Sequence, residues 1–348
     1  MAFSTINKST DYFTPKTLTS NAGSNMVVTG VGFQPDMVWL KSRDQALAWK
    51  QYDAVRGIQK RVRSDTNSAE ATISGGLLSY DTDGFTHGTD TDINNTSTNP
   101  MSWNWKAGTT SGLSGGTITP SSYSINATSG IGIYKYTNNT VAGATIAHGL
   151  NSAPKMVIIK LTSHTGNWIT GHAGMDSTFD YYLKLNENFA KANTDSMFND
   201  TAPSSTLITL GNNSETNYSI SSGSYSYIMY AFSEVAGYSK FGSYRGNGNA
   251  DGTFVYTGFR PAFVIQKRID TTGNWVITDT GRSPDNESHE TLYPNLTNAE
   301  AGMGKDLLSN GFKCKTSDAT INASGGTYIY MAFGQPIISN GGVCATAR

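Results

Sequence analysis

The sequence predicts an all-β fold: three tandem β-sandwich domains, jelly-roll or lectin-like, generated by an internal repeat. Three observations lead there. Ser, Thr and Asn make up roughly a third of the 348 residues, with 37 Gly, 18 Tyr, 14 Phe and 6 Trp, a composition that suits short strands joined by turns. Three segments share two fixed spacings. Pro precedes Lys by six positions in Pro35/Lys41, Pro154/Lys160 and Pro261/Lys267, and Lys precedes Trp by eight in Lys41/Trp49, Lys160/Trp168 and Lys267/Trp275. No stretch sustains a 3.6-residue apolar period over several turns.

Each copy opens on a strand, a Gly/Asn turn and a second short strand, as in YKYTNNTVAGATIAHG from Tyr134 and SYRGNGNADGTFVYTG from Ser243. VWLK, MVIIK and FVIQK follow as short apolar runs, suited to strands buried on both faces. The preceding proline is expected at the strand entry, where a missing N–H costs nothing. An alanine recurs about 20 residues after each tryptophan, at Ala69, Ala190 and Ala299. FDYYLKLNENFAKAN from Phe179 is the best helix candidate, but it aligns with strand-and-turn regions elsewhere and is read as non-helical. The copies close on MSWNWKA, SYIMYAF and TYIYMAF, aromatic segments expected as central strands. The resulting organisation is an N-terminal extension (1–11), repeat one (12–107), a Gly/Ser/Thr-rich linker or surface strap (108–130), repeat two (131–236), repeat three (237–336) and a tail (337–348).

Charge limits the partners. Lys and Arg number 25 against 26 Asp and Glu, so no global positive field gathers phosphates, and nucleic acid is not expected. The short basic cluster Arg56, Lys60, Arg61 and Arg63 reads as a solvated edge. No apolar run is long enough for membrane insertion, and the N-terminus lacks the pattern of a signal peptide. Cys314 and Cys344 have neither a disulfide framework nor zinc spacing around them.

The candidate site recurs with the repeat. Trp-x3-Asp-x2-Arg occurs as Trp49, Asp53, Arg56 and as Trp275, Asp279, Arg282, while repeat two offers Trp168 and His172. One reading is a sugar platform, in which an indole stacks on a pyranose while carboxylate and guanidinium bond its hydroxyls. The favoured reading is structural: the tryptophan plugs the sandwich and Asp–Arg is an intradomain ion pair. Recurrence at equivalent positions favours the second, because a scaffold residue recurs when the fold needs it. Asp81, Asp83, Asp90 and Asp92 suit a solvated loop and do not match an EF-hand loop. The five histidines (87, 148, 164, 172 and 289) show no metal spacing, and GNGNADG near Asn247 reads as a hairpin turn. No catalytic residue, metal or cofactor is expected.

The opening MAFSTINKSTDYF, the GFQPDMVWLK segment with its DAVRG continuation, DGFTHGTD followed by WNWKAG, EVAGYSKFGSYRGNGNADGTFVYTGFRPAFV, LLSNGFKCKTSDATINASGGTYIYMAF and the terminal ATAR carry a resemblance. The chain resembles repeat-containing virion structural proteins, tail fibre or tail-associated, of marine tailed bacteriophages. Repeat three matches best and repeat two departs most. The resemblance implies a non-enzymatic virion component assembled in the host bacterial cytoplasm, with other virion proteins as partners. A homo-oligomer (a trimer favoured) and a host surface glycan are further expected partners. A capsid decoration, cement or head-fibre protein is the alternative, and a polysaccharide depolymerase a less favoured one.

Overall fold

The computed structural model describes residues 4–21, 23–218 and 223–336. The predicted tail at 337–348, with Cys344, lies outside the described residues. Lobe one carries β1 (Phe13–Thr17), β2 (Met26–Val28), β3 (Met37–Ser42), β4 (Lys50–Asp53), β5 (Lys60–Arg61), β6 (Ala71–Thr72), β7 (Leu77–Asp81), β8 (Gly84–His87) and β9 (Pro100–Trp105). Lobe two carries β10 (Ser122–Asn126), β11 (Ile131–Thr137), β12 (Ala144–Ala147), β13 (Pro154–Leu161), β14 (Trp168–His172), β15 (Tyr181–Lys184), β16 (Ala192–Asn193), β17 (Leu207–Leu210) and β18 (Ser226–Ser233). Lobe three carries β19 (Ser239–Arg245), β20 (Phe254–Tyr256), β21 (Phe259–Arg268), β22 (Trp275–Asp279), β23 (Ser288–Thr291), β24 (Ala301–Leu308), β25 (Gly311–Cys314) and β26 (Thr327–Pro336). Among the described residues, helices are confined to a 3-10 turn at Ser9–Asp11 and the single turns Asp195–Phe198 and Ala319–Asn322.

The strand order repeats. The inner sheets run β1-β9-β3-β4, β11-β18-β13-β14 and β19-β26-β21-β22, and lobe two extends its sheet with β10 at one edge and β15-β16 at the other. Outer sheets, β2-β8-β7, β12-β17 and β20-β25-β24-β23, cover one face of each. The opening strand–turn–strand units are therefore not hairpins. GNGNADG leads from β19 in the inner sheet to β20 in the outer one, and Asn322 anchors the turn by donating to Asn247 Oδ1 and the Asn249 carbonyl. The Phe179 segment supplies β15 and β16, as its non-helical reading requires.

Burial on both faces of the inner sheets has a specific origin. Along β3, Val38 and Leu40 face lobe one's own sandwich core, whereas Met37 and Trp39 face a second core that draws on all three lobes. The same alternation splits β13 (Val157 and Ile159 against Met156 and Ile158) and β21 (Val264 against Phe263 and Ile265). The shared core also takes Trp103 and Trp105 from β9, Tyr230 and Phe232 from β18, and Met331 and Phe333 from β26. Three sandwiches thus stand back to back around one apolar centre rather than in a string.

Several boundaries shift for physical reasons. Pro154 does begin β13, but Pro261 lies two residues inside β21. In both strands a bulge follows the proline, absorbing the missing donor. The 108–130 segment is an ordered strap: β10 pairs along β11, while Ile118 and Ile125 enter lobe two's core. The N-terminal extension docks on lobe three, where Ser9 Oγ donates to Gln335 Oε1 at 2.7 Å, and Ile6 is buried in the shared core. Among the described residues no helix is long and apolar enough to cross a membrane.

Candidate functional site

In an extended strand, residues at i and i+4 point to the same face. The Trp-x3-Asp spacing therefore puts Trp49, which immediately precedes β4, and Asp53 (β4), Trp168 and His172 (β14), and Trp275 and Asp279 (β22) on the face turned to the shared core. All six side chains are at most 1% exposed. No indole offers a face on which a sugar ring could stack. Each instead reaches into the next lobe. Trp49 Nε1 donates to the Tyr293 and Leu296 carbonyls of lobe three at 3.0 and 2.9 Å. Trp168 Nε1 donates to the Arg63 carbonyl of lobe one at 2.7 Å, and Trp275 Nε1 to the Lys184 carbonyl of lobe two at 3.0 Å. The three contacts close a ring.

Backbone bonds close the same ring in the opposite sense. Glu70 N donates to Thr162 O at 2.9 Å, Lys191 N to Ile269 O at 3.0 Å, and Glu300 N to Arg43 O at 2.6 Å. The donors stand one residue after the recurrent alanines Ala69, Ala190 and Ala299. The acceptors stand two residues after the recurrent lysines. The repeat's spacings thus encode a joint between lobes.

The Asp–Arg pairs are intradomain, yet they too serve the joints. Arg56 Nε donates to Asp53 Oδ2 at 2.6 Å, and Arg282 Nε to Asp279 Oδ2 at 2.7 Å. Each of these oxygens also accepts from a neighbouring lobe: Tyr230 OH reaches Asp53 Oδ2 at 2.7 Å and Trp103 Nε1 reaches Asp279 Oδ2 at 3.1 Å. Burial, reinforced by the Asp53 carboxylate, holds the Tyr230 hydroxyl protonated well above the usual tyrosine range. The third joint is built differently. Cross-strand register equates Met331 with Trp103 and Tyr230, so no donor is present there. His172 takes the Asp position and Met175 the Arg position. His172 Nδ1 accepts from Gly174 N at 2.9 Å, which makes Nε2 the protonated nitrogen, 3.1 Å from the Tyr330 carbonyl. Burial lowers the His172 pKa to about 4, against the opposing pull of that carbonyl, and the ring is neutral at pH 7.

Lys41, Lys160 and Lys267 are fully buried on the joint-facing side of β3, β13 and β21. Their ammonium groups meet carbonyls only among the hydrogen bonds observed: Ser42 and Gln45 for Lys41, Leu161 and Asn67 for Lys160, Arg268 and Asn188 for Lys267. Burial lowers their pKa values to about 8, 7 and 8, with nearby charges acting as lesser influences.

The remaining candidates are structural. Asp83 accepts from Gly30 N and Gly32 N, Asp81 from Thr86 Oγ1, and Asp90 and Asp92 flank Lys50 Nζ at 3.3 and 2.5 Å. Among the described residues no group of His, Cys, Asp or Glu is arranged to hold a metal ion. The basic cluster is not a uniformly solvated edge: Arg56 is buried in its ion pair, and the Arg63 carbonyl receives Trp168. Sequence reasoning did not anticipate the acceptors Tyr293, Leu296, Arg63 and Lys184. Backbone carbonyls leave no trace in residue type.

No curated protein and no solved structure matches this chain. Residues 8–336 match the family described as domain of unknown function DUF7483, and the chain belongs to that family.

Proposed function

We propose that the chain is a non-enzymatic structural protein of a bacteriophage virion, a tail fibre or tail-associated component that meets the host surface. The observation carrying this reading is the use made of the repeated side chains. Trp and Asp hold neighbouring lobes together, Lys160 and Lys267 also reach a neighbouring lobe, and Arg pairs with the Asp inside its own lobe, so what the repeat preserves is mechanical. The resemblance to virion proteins of marine phages points the same way. A surface rich in Ser, Thr and Asn suits contact with other virion proteins and with a host glycan through neutral hydrogen bonds. Any glycan contact lies away from the three indoles, which are enclosed. A threefold arrangement, expected between chains, already exists among the lobes of one chain.

One observation favours a second reading, capsid decoration. The lobes pack back to back around a common centre instead of extending in a line, a shape suited to capping a shell. Electron cryomicroscopy of intact particles separates the two. Density at the tail is the expected result, and density confined to the capsid surface overturns it in favour of decoration.

A further inference from the structure

Where the three lobes meet, a small cavity of about 20 Å³ is lined by Met37, Trp39, Gln51 and Trp105 of lobe one, by side chains of lobe two including Trp168 and Tyr230, and by Met331 of lobe three. Trp39 and Trp105 are 5% and 1% exposed, and neither indole nitrogen has an acceptor in the protein. A buried N–H without an acceptor forfeits its hydration, and native interiors rarely tolerate that. Trp168 and Tyr230, on the same cavity, have their polar atoms satisfied elsewhere, at Arg63 O and Asp53 Oδ2.

The repeat acts as an internal control. Cross-strand register equates Trp39 with Ile158 and Ile265, and Trp105 with Phe232 and Phe333. The fold therefore does not require a polar atom at either position. Both unsatisfied indoles belong to lobe one, and both border the same cavity. They lie on β3 and β9, one pairing step apart on one face, since Trp39 opposes Trp103 and Met37 opposes Trp105. That is the diagonal relation within which long side chains reach a common point.

We propose that this cavity is a binding site for one water molecule, which accepts from Trp39 Nε1 and Trp105 Nε1 and pins the centre of the three-lobed body. The volume suffices for one water, which needs roughly 10–15 Å³ and two to four polar partners. Gln51 is the third polar group. Its amide nitrogen is 3.5 Å from Met37 Sδ, a weak acceptor, and its side-chain carbonyl is an acceptor to which the water can donate a hydrogen bond. A halide of similar size would bring an uncompensated charge into an apolar cavity, which is far costlier than a neutral guest.

The test is a crystal structure of the full chain at a resolution that orders waters, with a second crystal grown in bromide. The expected result is one density peak about 2.7–3.2 Å from both indole nitrogens, without anomalous signal in bromide, and missing in the W39F/W105F double variant. An empty cavity, or a bromide peak at this position, overturns the proposal. Should the double variant not fold, NMR of the wild-type protein decides. Water cross-peaks to both indole Hε1 protons, with the sign of a long-lived complex, support the site, and their absence for both overturns it.

Discussion

At Asp53 a buried carboxylate serves two partners, Arg56 within its lobe and Tyr230 across the joint. Removing one member of a buried charge pair strands the other, so Asp53→Ala is expected to destabilise the chain by about 3–5 kcal/mol. Lobe two shows the neutral alternative, His172 and Met175 opposite Met331. Transplanting it as D53H/R56M/Y230M is expected to cost less than Asp53→Ala alone in denaturant titrations. A triple variant less stable than the single one refutes this reading of the joint. Trp275→Ala opens a large hole and removes the indole donor to the Lys184 carbonyl. It is expected to destabilise by about 3–5 kcal/mol, and unchanged thermal stability would restore the indole as a surface feature. The buried lysines set the pH dependence. Their folded pKa values, about 7 to 8, lie below the ordinary lysine value of 10.5. Their penalty is complete below pH 7 and lifts as the folded chain sheds protons that the unfolded chain still holds. Stability is therefore expected to rise from pH 7 toward pH 10. Above that it falls, because buried hydroxyls such as Tyr136 and Tyr244 have pKa values raised by burial and cannot ionise in the folded state. Thermal melts across this range check the sign, and a flat or declining profile between pH 7 and 9 rejects it.

At the scale of elements, the inner strands were legible because an unbroken apolar run signals burial on two faces, as β3, β13 and β21 demonstrate. What lay on the second face was not legible. A sequence shows that Trp39 is buried but not whether its neighbours come from its own sandwich or another. The joints differ for the same reason that their residues differ. Arg43 clamps Glu300 through two nitrogens at 3.0 and 2.7 Å between lobes one and three, and Tyr230 reaches Asp53 between lobes one and two. The joint between lobes two and three has only neutral contacts at the corresponding places: Lys191 turns to the Met175 carbonyl of its own lobe and to the Tyr181 ring. That joint is expected to open first. Native-state hydrogen exchange should find the amides of Lys191 and Gly273, which bond Ile269 O and Asn188 O across it, less protected than those of Glu70 and Glu300. Equal or greater protection at Lys191 and Gly273 counts against the asymmetry.

For the whole molecule, a core shared by three lobes implies one cooperative unit. Calorimetry is expected to show a single transition whose calorimetric and van't Hoff enthalpies agree, and three separate transitions would show the lobes to be independent. The amino-acid sequence by itself determined the all-β class, the threefold repeat with its Pro–Lys–Trp spacings, and the burial of the strands that carry them. These are local properties, set by side-chain period and by residue types that recur at fixed offsets. Only the tertiary structure decided that the sandwiches close on a common centre, that the 108–130 strap belongs to lobe two, and that Trp, Asp and Arg act at joints rather than on a ligand. The physical reason is that their partners are mostly backbone carbonyls and residues more than a hundred positions away. A carbonyl is the same in every residue, so which one receives an indole N–H is settled by packing alone.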